Sequence, residues 1–74
     1  MTLRNEQGSV LRCDDDTWAA ALAAARQNGW IHMDGTAYEI SAGDAQTLAE
    51  ALDEAGGDVA ELIELCKQGA LFIQ

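Results

Sequence analysis

Basic residues are scarce in this chain. Four Lys and Arg face thirteen Asp and Glu over 74 residues, a formal net charge of -9. Such a chain repels nucleic-acid phosphates and anionic headgroups, so direct binding to nucleic acid or membrane is not expected. Histidine occurs once, at His32, which excludes any multi-histidine metal site. The two cysteines, Cys13 and Cys66, lie far apart and form no CxxC, whereas small secreted domains ordinarily carry four or more. No apolar run approaches the roughly 18 residues of a membrane span, and Met1 to Glu6 hold no signal-peptide core. A reduced, cytoplasmic setting follows as an expectation, with the two cysteines unpaired. Heavy apolar groups are also few: Trp18, Trp30, Tyr38, Phe72 and a handful of aliphatic side chains amid many alanines.

What is present makes a single domain spanning residues 1–74. A chain this short buries only about 60% of the surface its unfolded form exposes. Its thin core stands to gain from a partner or a second copy, so a homodimer is expected.

Five segments cut the chain into elements. Glu6-Gln7-Gly8-Ser9 is a polar turn between two short, alternating segments, which predicts a hairpin. Asp14 is a helix N-cap, with Asp15 and Asp16 set against the positive end of the helix dipole. Cys13 and Trp18 then have the spacing of a hydrophobic staple. Asn28-Gly29 ends that helix and places Trp30 where it packs back on Ala25. Asp34-Gly35 predicts a two-residue hairpin turn between residues 30–33 and 36–40, with Trp30, His32 and Glu39 on one face. Ile31, Met33, Tyr38 and Ile40 share the other. Ser41 caps a second helix with Ala45, Leu48, Ala49, Leu52 and Ala55 in one stripe, stopped at Gly56-Gly57. Asp58 and Glu61 form a capping box for a third, with Val59, Leu62, Ile63 and Cys66 as its stripe and Leu65 beside it. After Gly69, residues 70–73 read as a strand apolar on both faces, either central or covered by a partner. The order ββαββααβ predicts an α+β fold: a small, mainly antiparallel sheet with helices on one face.

Gly29-Trp30, the stretch from Tyr38-Glu39-Ile40-Ser41-Ala42 through Asp44-Ala45 to Leu48-Ala49 and Ala51-Leu52, and the ending Leu62-Ile63-Glu64-Leu65-Cys66 with Gly69, Phe72 and Ile73 together form a pattern. It resembles a loose group of small bacterial α+β proteins over residues 14–74. The matching residues are caps, an alanine-rich helix and a core strand, so the resemblance implies a fold and no catalytic residue. A two-residue hairpin stands here where longer loops are expected in that group.

The segments that resemble chemistry have structural explanations. Asp14-Asp15-Asp16-Thr17 lacks the Asp-x-Asp-x-Thr/Val spacing of phosphoryl-transfer haloacid dehalogenases and the Gly and Glu of a calcium loop, whereas a helix cap accounts for all of it. Cys13, His32 and Cys66 give at most a crude thiol–imidazole set, and buried, inert thiols fit their apolar positions better. Gly56-Gly57-Asp58 follows a helix and sits beside acids, which suits a helix–helix turn and not a phosphate cradle. No cofactor and no metal are expected.

The acids remain. Asp34, Glu39, Asp44, Glu50, Asp53, Glu54, Asp58, Glu61 and Glu64 follow one another without an intervening Lys or Arg. A solvated helix face explains such a run, and so does a surface for a basic protein. The leading expectation is a non-enzymatic binding module, accessory, inhibitor or immunity-like, with Glu50, Asp53, Glu54, Glu61 and Glu64 against a basic partner. A narrower alternative is a nucleic-acid mimic that occupies a DNA-binding protein. A third is a small enzyme in which Trp30, His32 and Glu39 form a ligand shelf with His32 as acid or base.

Overall fold

A computed structural model describes residues 1–31, 35–36, 39–56 and 59–74, with backbone alone for 35–36. The order is β1 (Thr2–Asn5), β2 (Val10–Arg12), α1 (Asp15–Gln27), β3 (Gly35–Thr36), β4 (Glu39–Ile40), α2 (Ala42–Ala55), α3 (Ala60–Cys66) and β5 (Leu71–Ile73). The fold is α+β, in the predicted order. All pairings are antiparallel, in the sheet order β2-β1-β5-β4-β3. The closing strand is therefore central, held between β1 and β4.

Strand alternation divides the sheet into two faces. Leu3, Asn5, Ile40 and Leu71 are buried on one, under the helices. Arg4, Val10, Arg12, Glu39 and Phe72 lie on the other, which is open. The helical layer contributes Ala21, Ala25, Ala45, Leu48, Ala49, Leu52, Leu62, Leu65 and Cys66 to one core. α2 is its centre and packs against both α1 and α3. Its buried stripe differs slightly from the expected one: Ala55 is exposed, whereas Ala51 and Asp44 are buried. On α3, Leu65 is fully buried and Ile63 only partly.

Local chemistry accounts for the ends of α1. Asp14 Oδ1 accepts from the Thr17 N–H at 2.9 Å, and Cys13 and Trp18 both rest on the core. Hydrogen bonding from Thr17, side chain and then backbone, holds the Asp14 carboxyl below the ordinary carboxylate range. The cap is thus complete at neutral pH and is lost as pH falls through that lowered value. At the other end Gly29 takes φ 90°, the Trp30 N–H returns to Ala25 O at 3.0 Å and the Gly29 N–H to Arg26 O at 3.1 Å. This pair of bonds is a Schellman close.

That close overturns the expected hairpin. β3 pairs with β4 through Gly35↔Ile40 and Thr36↔Glu39, so Gly35 is a strand residue and not the second position of a turn. Trp30 is in no strand: its N–H goes to α1 and its indole to α2. Ile31 is 69% exposed while Ile40 is buried, so they do not share an apolar face. His32, Met33, Asp34 and Tyr38 lie outside the described residues, as does the Asp58 cap. α3 itself starts at Ala60 after Val59, with no side-chain bond at that cap.

The entry to β5 requires glycine. Gly69 has φ 117°, and a Cβ there would overlap the Glu6 side chain. Glu6 is fixed in place, because its Oε1 accepts from the Ala70 N–H and its own N–H donates to Ala70 O, both at 3.0 Å. Gly69→Ala is expected to lose about 2 kcal/mol in urea unfolding, from backbone strain and displacement of Glu6. An unchanged midpoint would show that the β1–β2 turn yields freely.

Candidate partner-binding surface

The acidic residues on α2 and α3 occupy the helix positions left over once the apolar stripe faces the sheet. Glu50, Asp53 and Glu54 on α2 and Glu61 and Glu64 on α3 are all exposed. Among the described residues one ion pair forms, Lys67 Nζ to Glu64 Oε1 at 3.8 Å, with both side chains at least half exposed. A pair of that kind contributes little.

The structure places four of these acids in two groups, with Asp53 in neither. Glu50 and Glu54 border a shallow hollow with Asn28, Gly29, Trp30 and Thr47, where α2 meets the end of α1. Glu61 and Glu64 line a groove of about 410 Å³ between α3 and β2, with Val10, Leu11 and Leu65 among its walls. A second hollow, shared by Glu61 with Leu11, Arg12, Cys13 and Thr17, lies against the same strand. Asp44, counted with the acids in the sequence, is only 7% exposed and belongs to the buried start of α2. Its N–H is capped by Ser41 Oγ at 3.2 Å, and its carbonyl receives the Trp30 indole N–H at 3.0 Å.

This last bond decides the placement of the proposed ligand shelf. Trp30 is buried in the core, whereas Glu39 is exposed on the open sheet face. The two are not brought together, and His32 lies outside the described residues. The shelf reading assigned Trp30 to a strand, but it closes a helix.

Among the described residues no group of three or more His, Cys, Asp and Glu could hold a metal ion. Both cysteines are free. Burial pushes the Cys66 thiol up to about 12. Desolvation also raises Cys13, opposed by the N-terminal ammonium and reinforced by Asp14 and Asp15. The thiolate is the reactive form, so both are poor nucleophiles near neutrality. Iodoacetamide at pH 8 is expected to leave Cys66 intact in the folded protein and to modify it readily in urea, with Cys13 reacting slowly in the native state. Rapid native labelling of Cys66, read by mass spectrometry, would contradict its burial.

Two features went unread in the sequence. Asn5 is a buried polar hub with four hydrogen bonds, and the open sheet face carries Arg4, Val10, Arg12, Glu39 and Phe72. No family model, curated protein or solved structure matches this chain. No helix among the described residues is long and apolar enough to cross a membrane.

Proposed function

We propose that this chain is a non-enzymatic, cytoplasmic protein-binding module whose α2–α3 acids meet a basic partner surface. The observation that carries this reading is the exposure of Glu50, Asp53, Glu54, Glu61 and Glu64, of which Glu64 alone has a cation, Lys67, within ion-pair distance among the described residues. Uncompensated charge of one sign steers an oppositely charged partner and sets its orientation. Free, unreactive thiols suit a reducing compartment and a role without cysteine chemistry.

Affinity capture on the immobilised chain at about 50 mM and 500 mM salt tests the proposal, because exposed charge pairs are screened over roughly a Debye length. The expected result is a basic protein retained at low salt, released at high salt, and lost when Glu50, Asp53, Glu61 and Glu64 are changed to Lys. Retention that survives both salt and charge reversal would refute the acidic surface as the contact, as would no retention at low salt. The nucleic-acid-mimic version is the special case in which the captured protein binds DNA and DNA displaces the chain from it.

A further inference from the structure

We infer that the open sheet face is a two-fold dimer contact, with Phe72 on the axis and Arg4 of each copy opposite Glu39 of the other. The argument starts from register. Phe72 pairs with Arg4 of β1 on one side and with Glu39 of β4 on the other. These three residues therefore form one row across the sheet, on the same face, with Phe72 central. Adjacent strands lie about 4.8 Å apart, which puts the two charges on either side of the ring and roughly 10 Å from each other.

A row that reads basic, aromatic, acidic is self-complementary under one operation. When two such sheets face each other about an axis parallel to β5, the left and right of the row exchange. Each Arg4 then meets a Glu39, and Phe72 meets its own copy. The alternative axis, perpendicular to the strands, would set Arg4 against Arg4 and is disfavoured by like charge. The allowed axis also keeps the two strand sets nearly aligned, as packed sheets prefer. Neither Arg4 nor Glu39 has an ion-pair partner among the described residues, so the contact breaks no existing pair.

Apolar surface and charge agree with this placement. Phe72 is 37% exposed and Val10, on the same face, is 52% exposed. The exposed acids Glu50, Asp53, Glu54, Glu61 and Glu64 are on the helical layer, away from the contact, which answers the repulsion between two chains of net charge -9. Pairing through the free edge of β2 is a worse solution. Glu61 and Glu64 line the groove beside that strand, so an edge dimer would bring two such sets together. Five short strands span only about 20 Å, a face smaller than a standard interface, and the dimer is expected at tens of micromolar.

Sedimentation equilibrium from 5 to 500 µM tests the inference on the full chain and on Arg4→Glu, Glu39→Arg, the double exchange, and Phe72→Glu. The wild type is expected to move from 7.9 kDa towards twice that mass. Each single charge reversal is expected to raise the dissociation constant about 30-fold, through two like-charge contacts per dimer. The double exchange is expected to return it to within about threefold, a recovery that a merely structural effect on the fold would not produce. Circular dichroism checks that each variant is folded. If Phe72→Glu is unfolded, the two charge variants and their double exchange carry the test. A wild-type monomer throughout the range overturns the inference. So does a dimer that ignores Arg4→Glu, or a double exchange that restores nothing.

Discussion

Truncating Trp30 to alanine is expected to remove about 4 kcal/mol, most of what a domain of this size holds. The side chain is 5% exposed, so its removal leaves a cavity where the end of α1 meets α2. It also removes the indole N–H that donates to Asp44 O at 3.0 Å, and with it a cross-link between the end of α1 and the start of α2. Trp30→Phe separates these contributions. Phenylalanine restores most of the apolar volume without the donor, so a loss nearer 2 kcal/mol is expected. Equilibrium urea unfolding followed by far-ultraviolet circular dichroism measures both. If Trp30→Ala shifts the midpoint no more than an exposed substitution such as Gln27→Ala, then Trp30 is not a core residue, and the ligand-shelf reading returns.

The same residue marks how far the sequence could be read. The caps of α1 and α2 were legible because each is a contact across three positions: Asp14 to Thr17 and Ser41 to Asp44. Gly29-Trp30 was legible as a helix end for the same reason, since the Trp30 N–H returns to Ala25. The hairpin after it was misplaced because Asp34-Gly35 carries a strong local turn preference. A contact fourteen positions away, between the Trp30 indole and Asp44, committed the segment elsewhere. The same bond lays the Trp30 indole against the start of α2, where Asp44 is buried although it reads as one more surface acid. For the candidate site, exposure of the five acids followed from helix periodicity. The division of four of them, Glu50 and Glu54 in the α1–α2 hollow and Glu61 and Glu64 in the α3–β2 groove, depends on how α2 sits between its neighbours, and no local pattern encodes that. The row Arg4–Phe72–Glu39 was beyond reach for a related reason: each residue is in a different strand, and only register aligns them.

Asn5 is the clearest case of a residue with no local signature, and its replacement by leucine is expected to cost about 3 kcal/mol, or roughly 15 °C in midpoint. It is 2% exposed. Its Oδ1 accepts from the Gln7 and Ser9 N–H groups at 3.0 Å each, which fixes the β1–β2 turn. Its Nδ2 donates to Leu65 O at 3.3 Å and to Gln68 Oε1 at 2.9 Å, which ties the end of α3 to that turn. Leucine fills a similar volume but removes the acceptor of the Gln7 and Ser9 N–H groups and the side-chain donor to Leu65 O, which keeps only its backbone bond from the Gln68 N–H, and a polar group left without its partner costs more than the bond contributes. Asn5→Asp divides the hub. The carboxylate keeps both acceptor bonds to the turn and sets an oxygen against Leu65 O, so the damage is confined to the α3 side. Hydrogen exchange reads the difference. Ser9 and Gln7 amides are expected to stay protected in Asn5→Asp and to lose protection in Asn5→Leu, while amides at the end of α3 exchange faster in both. Equal protection of the turn in the two variants would show that its backbone bonds, Asn5 N–H to Ser9 O and Gly8 N–H to Asn5 O at 3.0 Å, suffice without the side chain. Asn28→Ala is the control: its amide makes one exposed bond to Ala24 O, and its loss should cost well under about 1 kcal/mol.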